Sequence, residues 1–344
     1  MAKTVDLRSD TVTMPSPAMR EEMARAEVGD DVYREDPTVN RLQEFAAELL
    51  GKEAGLFIPS GTMSNQVALK TACRGAEAIC EAGAHTLHYE MAAAAARSGI
   101  QLIPVAGERG VLTWADIEPA IRPVADYYPR TGLICLENTH NRAGGVVLPL
   151  EVMADVGEEA RACGIPVHLD GARLWNAAVA TGVPLSDYAA CADSVSVCFS
   201  KGLGAPVGSC LCGTREFVEE AIMVRRSFGG AMRQAGVLAA AALYAVEHNV
   251  ERLAEDHRRA RALAEGLAGM SAFTVEPPQT NIVVVDVADD AAPALADLLQ
   301  EDGVLVHAFG PRRIRAVTHL DLDDADVERA LRAFEGAVAR LRPS

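Results

Sequence analysis

One rhythm constrains this chain more than any other feature. Between about residues 52 and 213, seven short apolar runs alternate with helical stretches: "AGLFIP", "AEAICEA", "IQLIPVA", "GLICLEN", "IPVHLD", "SVSVCF" and "GSCLCG". Most are separated by amphipathic segments such as "LEVMADVGEEARACG". The runs have strand length and are apolar throughout, as strands covered on both faces tend to be. Strand alternating with helix predicts βαβ units, hence an α/β fold with a mostly parallel sheet and helices on both faces. The pattern changes after residue 249. A charged helix, "VERLAEDHRRARALAEGLA", precedes the strands "NIVVVDV", "VLVHAF" and "RRIRAVTH" and a last helix. The expectation is a large domain over 1–249 and a smaller C-terminal α+β domain over 250–344.

Charge narrows the partners. The 344 residues carry 32 Lys+Arg against 48 Asp+Glu, a formal charge of −16. Such a surface repels nucleic acid and anionic membrane, so neither is expected, and a phosphate ligand needs a local cluster of donors. The eight cysteines form no CxxC pair. Several, including Cys135, Cys198 and Cys210, sit in apolar runs, which suits core residues of a reducing compartment. The longest weakly polar run, "GVLAAAALYAV", is too short to span a bilayer. The start "MAKTVDLRSD" has no apolar signal region, and a cytoplasmic location is expected. His85 and His88 are three apart, but no carboxylate–histidine pattern completes a metal site, so none is expected.

In an open parallel sheet, ligands bind beyond the carboxyl ends of the strands. Ser60-Gly61-Thr62 follows "AGLFIP" and opens a helix, which makes a candidate anion site. His85 follows "AEAICEA", His140 follows "GLICLEN", and Asp170-Gly171-Ala172-Arg173 ends "IPVHLD". Lys201 follows "SVSVCFS", where desolvation penalises a charge and favours an amine that can act as a nucleophile. Each residue alone has an ordinary structural explanation. Together, a lysine, a phosphate cradle and a carboxylate at one sheet edge point to pyridoxal phosphate. The chain has neither GxGxxG after a strand nor GxxxxGK[ST], which argues against a nucleotide-binding protein.

The ordered strings "DLRSDTVT", "EVGDDVYREDPT", "PSGTMSNQ", "ENTHNRAGG", "HLDGAR", "FSKGLGAPVGS" and "GGAMRQAG" cover nearly the whole chain. In that series it resembles the low-specificity L-threonine aldolases, within the fold-type I pyridoxal-phosphate enzymes. The resemblance implies retro-aldol cleavage of L-threonine, L-allo-threonine and related β-hydroxy-α-amino acids to glycine and an aldehyde. Other reactions of the same cofactor (β-elimination, transamination, racemisation) are the alternative. It implies a Schiff base on Lys201, Asp170 at the pyridine nitrogen, His85 stacked on the ring, and Ser60, Gly61 and Thr62 on the phosphate. Arg173 counts with both cofactor and substrate; with Ser9 and Arg315 it would hold the substrate carboxylate. His140 would lie near the β-hydroxyl, and the base is His85, His140 or a water. A homotetramer, a dimer of dimers, is also implied. In it residues 1–50 lie at an interface, Tyr33 approaches a partner's pocket, and Arg226 and Arg233 reach a neighbour's phosphate. Arg226 stands where some relatives have lysine, which leaves its phosphate contact open.

Overall fold

The computed structural model describes residues 3–73 and 75–341; Met1, Ala2, Arg74 and residues 342–344, which the two expected domain ranges include, lie outside them. After a short β1 (Val5–Asp6), the apolar runs become β2 (Ala54–Ile58), β3 (Glu77–Glu81), β4 (Gln101–Val105), β5 (Thr131–Glu137), β6 (Val167–Gly171), β7 (Ser194–Cys198) and β8 (Ser209–Gly213). They form one seven-stranded sheet in the order β2-β8-β7-β6-β5-β3-β4. Strands β3 to β7 pair in parallel. Only β8 runs against its neighbours. The chain between β7 and β8 is too short for a helical crossover and turns straight back, which an antiparallel pair permits. Lys201 sits in that return.

Strands β3, β5, β6, β7 and β8 are buried along their whole length, while β4 at the sheet's edge is not. Their continuous apolar character follows from cover on both faces. Strand order reverses between β3 and β5: the chain moves outward to β4, then back across to β5, β6 and β7. A crevice opens at such a switch point, beside the carboxyl ends of the strands. His85 and His140 both lie at it.

The C-terminal region contains β9 (Phe273–Val275), β10 (Ile282–Val287), β11 (Val304–Leu305), β12 (His307–Ala308) and β13 (Arg313–Val317). Strands β12-β13-β10-β9 form a four-stranded antiparallel sheet. The run "VLVHAF" is divided between two partners, since β11 pairs with β1 and β12 with β13. Strand β9 is three residues long and has no periodic signal in the sequence. Helix Leu253–Ala268 lays Leu253, Ala260, Leu263, Ala264 and Leu267 inward at helical spacing. Val5 and Leu7 belong to this second core rather than the first. The N-terminal strand thus crosses the boundary expected at residue 249. No helix among the described residues is long and apolar enough to cross a membrane.

Candidate active site

The helix after β2, Gly61–Ala72, begins at Ser60, whose Oγ accepts the Met63 N–H at 3.2 Å. The N–H groups of Gly61 and Thr62, first in the helix, have no intrahelical acceptor and lie at its positive end. A Cβ on Gly61 would come within 2.7 Å of Cys198 Sγ, so glycine lets the helix start sit on the end of β7. Ser60, Gly61 and Thr62 are therefore brought beside the strand that delivers Lys201.

Asp170 ends β6 and is buried; Oδ1 accepts the Ala172 N–H at 3.1 Å and Oδ2 accepts from Asn65 Nδ2 at 2.7 Å. Asn65 Nδ2 also lies 2.9 Å from Glu90 Oε1. Glu90, whose side chain is wholly buried, accepts in addition from Gln66 Nε2 at 2.5 Å and from His85 Nδ1 at 2.9 Å. The Glu90 carboxylate fixes the His85 tautomer: Nδ1 carries a proton, and Nε2 has no partner among the described residues. Burial pulls the His85 imidazolium down. The Glu90 hydrogen bond and the Asp170 charge outweigh burial and the Lys201 charge, and the pKa ends above the ordinary histidine value. Ligand atoms of His85, Glu90 and Asp170 lie within 4.8 Å of one another. An amide N–H is aimed at both carboxylates, however, so this is a hydrogen-bonded chain rather than a set of free ligands.

Lys201 is half-buried, and its carbonyl oxygen accepts from the Gly204 N–H at 2.9 Å and the Thr13 hydroxyl at 2.9 Å. Gly204 takes φ +81, a left-handed conformation suited to glycine that closes the loop under the lysine. Lys201 Nζ has no hydrogen bond or ion pair among the described residues. Its charge is felt by Asp10, His85 and Cys198. A free amine, a buried carboxylate, an imidazole flank and an open helix N-terminus form a donor set that fits pyridoxal phosphate.

His140, the other histidine at the strand ends, is held on both sides of its ring. It is buried, Nε2 lies 2.8 Å from Glu81 Oε2, and Nδ1 accepts the Ala143 N–H at 3.1 Å. Both ring nitrogens have partners. Burial lowers its pKa, but Glu81, Glu137 and Asp170 raise it above the ordinary value. Glu81 also accepts from Gly107 at 3.3 Å, so the pair ties two loops together.

Arg173 is buried and forms a two-pronged pair with Asp10, at 2.8 Å from Nε and 2.7 Å from Nη2. Burial works against the Asp10 carboxylate, but the Arg173 charge and hydrogen bonds hold its pKa well below the usual range. The remaining nitrogen of Arg173 lies 3.3 Å from Asn141 Oδ1, and Arg315 Nη1 lies 2.9 Å from the same oxygen. Burial and the nearby Arg173 lower the Arg315 pKa. Ser9 Oγ accepts from the Thr11 N–H and hydroxyl at 3.2 and 2.9 Å.

Tyr33, Arg226 and Arg233 are all exposed, and no hydrogen bond or ion pair joins them to the strand-end cluster. Arg233 lies 3.5 Å from Asp30, and Arg226 lines a surface groove of about 490 Å³ with Arg34, Glu219 and Arg225. The neighbouring acids of "GDDVYRED" serve the fold: Asp31 pairs with buried Arg225 at 2.9 Å, and Asp36 caps helix Pro37–Leu49. Sequence reasoning did not single out Asp10, Asn65, Glu81, Glu90 or Asn141. Asp10, Asn65 and Asn141 stand inside the quoted strings and Glu81 inside the run "AEAICEA"; Glu90 carries no local signal.

Residues 6–290 match the family model described as beta-eliminating lyase. The chain is 45% identical over 350 residues to low-specificity L-threonine aldolase 1 of Arabidopsis thaliana, covering 99% of this chain and 98% of that one. It is 46% identical over 335 residues to the low specificity L-threonine aldolase of Escherichia coli strain K12, covering 96% and 99%. Among solved structures, a threonine aldolase of Leishmania major superposes with a TM-score of 0.85 at 21% identity, covering 97% of this chain and 100% of that one, a likeness of fold.

Proposed function

The chain belongs to the beta-eliminating lyase family, and from that premise we propose that it cleaves L-threonine and related β-hydroxy-α-amino acids to glycine and an aldehyde. It is an L-threonine aldolase, a carbon–carbon lyase. The substrate class comes from the relatives matched over nearly their full length. One observation carries the chemistry: Lys201 presents an amine without a partner among the described residues, at the sheet edge where Asp170 and the start of helix Gly61–Ala72 converge.

Pyridoxal phosphate, when bound, supplies the electron sink for the carbanion left as the Cα–Cβ bond breaks. Lys201 is the amine that would hold it covalently. Ser60, Gly61 and Thr62 offer hydroxyls and N–H groups to its phosphate, and His85 flanks its ring. Asp170, oriented by Asn65, would hold a proton on the ring nitrogen. Arg315, with Arg173 and Ser9, would bind the substrate carboxylate and so fix the orientation of its Cα. His85 Nε2 accepts the β-hydroxyl proton, and the proton on Nδ1 stays shared with Glu90. His140, with both nitrogens bonded, holds the loop that carries Asn141.

The same reading places the chain in a cytoplasmic homotetramer, which the eight unpaired cysteines suit. Tyr33, Arg226 and Arg233 then serve a neighbouring subunit's site, with residues 1–50 at the interface. The same reading divides the chain into two domains, 1–249 and 250–344, with β1 lent to the smaller. The test is release of acetaldehyde and glycine from L-threonine and L-allo-threonine, with Lys201→Ala as control. Equal amounts of both products, absent in the variant, support the reading. A lysine-linked cofactor without acetaldehyde would move the reaction to another of the same cofactor.

A further inference from the structure

Arg173 and Arg315 arrive from different parts of the fold, one after β6 and the other on β13. Their charges are not equally available. Arg173 spends two of its nitrogens on Asp10, whose carboxylate is fully buried and also accepts from Asn281 at 3.1 Å. Arg315 has no carboxylate partner among the described residues. Its Nε is buried without an acceptor, and its Nη2 reaches only the Arg8 carbonyl at 3.4 Å. The Phe309 ring lies 5.6 Å from the Arg315 guanidinium carbon. Asp10, Arg173 and Arg315 therefore sum to one positive charge in excess, and what joins the two guanidiniums is the neutral Asn141 Oδ1.

Asn141 is firmly held. Its N–H donates to Glu137 Oε1 at 2.8 Å, and the preceding His140 is pinned by Glu81. Glu137 spends its other oxygen on the His85 N–H at 2.7 Å, so this acid bonds backbone donors and acts on Arg173 through its charge without a hydrogen bond. A carboxylate at position 141 would reach both guanidiniums as Asp10 reaches Arg173, and would compete with an incoming carboxylate for the same donors.

We infer that Asn141 is a positioning residue that determines specificity: a neutral acceptor that aligns two guanidiniums from two sheets without cancelling their excess charge, so that the site selects a substrate with one free α-carboxylate. The inference rests on the reading that Arg173 and Arg315 bind that carboxylate. The test compares Asn141→Asp with Asn141→Ser in the holoenzyme, measuring kcat and KM for L-threonine and the inhibition constant for glycine. For the Asp variant, KM and the glycine constant rise together by at least about tenfold while kcat stays within about threefold. For the Ser variant, which shortens the shared acceptor but adds no charge, both rise by a smaller factor, about threefold and below tenfold. An Asp variant with unchanged KM overturns the inference, and so does a Ser variant that matches it. Should the Asp variant fail to melt cooperatively, the Ser variant decides: a rise beyond about tenfold puts the effect in packing and overturns the charge argument. If wild type itself releases no acetaldehyde, the functional reading falls instead.

Discussion

His85 and His140 begin alike and end with different work. Each follows a strand of the same sheet, each lies within 2.9 Å of a glutamate, and each has its pKa raised past the cost of burial. The difference lies in the second nitrogen. His140 gives Nδ1 to the Ala143 N–H and closes a loop. His85 Nε2 has no partner among the described residues, and the side chain is 27% exposed at the cleft. A histidine–carboxylate pair is therefore not by itself a catalytic device. It becomes one only when the imidazole retains a lone pair that faces the substrate.

The comparison can be broken at either histidine. The largest effect is expected at His85: changing it to Asn should lower kcat by roughly 10²- to 10⁴-fold, with little change in melting temperature. Steady-state rates and a thermal melt check both halves. At His140 the balance reverses. His140→Leu leaves the Glu81 carboxylate in place without its partner and should cost about 3 kcal/mol of stability, with kcat falling less than about tenfold. Denaturant unfolding decides it, and a kcat loss as deep as that at His85 would return His140 to the chemistry.

The smallest effect sharpens the contrast with histidines that have no carboxylate partner. His168 and His257 are buried, and burial pushes each down to about 4. A histidine with a lowered folded pKa stays neutral in the fold while the unfolded chain takes up the proton, so stability falls as pH drops from 6.5 toward 4. A raised pKa does the opposite: its contribution is full below 6.5 and fades as pH rises through the folded value. His257→Gln should thus remove on the order of 2 kcal/mol of the stability lost between pH 6.5 and 5. Urea unfolding at the two pH values measures it, and an unchanged difference would show that His257 does not titrate in that window.

Much of the fold was legible because strands buried on both faces write themselves as continuous apolar runs. Each of those runs is a strand, in contrast to β9, which is short and unpatterned. Residues at strand ends were legible for the same reason, since βαβ topology aligns those ends. Their partners were not. Asp10 meets Arg173 across 163 positions and Glu81 meets His140 across 59, and nothing local signals either pairing. Sequence marks where a histidine lies along the sheet edge, but whether both its nitrogens are occupied depends on chain that returns from far away. The direction of β8 escaped notice because an apolar run carries no direction.

The pH dependence of kcat in Glu90→Gln and Glu81→Gln tests the division between the two histidines most directly. His85 faces Glu90, Asp170 and Lys201, with Glu137 on its N–H and the Tyr89 ring 5.4 Å away. Removing the Glu90 charge lowers the His85 pKa. The account predicts that the acid limb of kcat moves to lower pH in Glu90→Gln and stays in place in Glu81→Gln. A limb that moves only in Glu81→Gln would contradict it and make His140 the base.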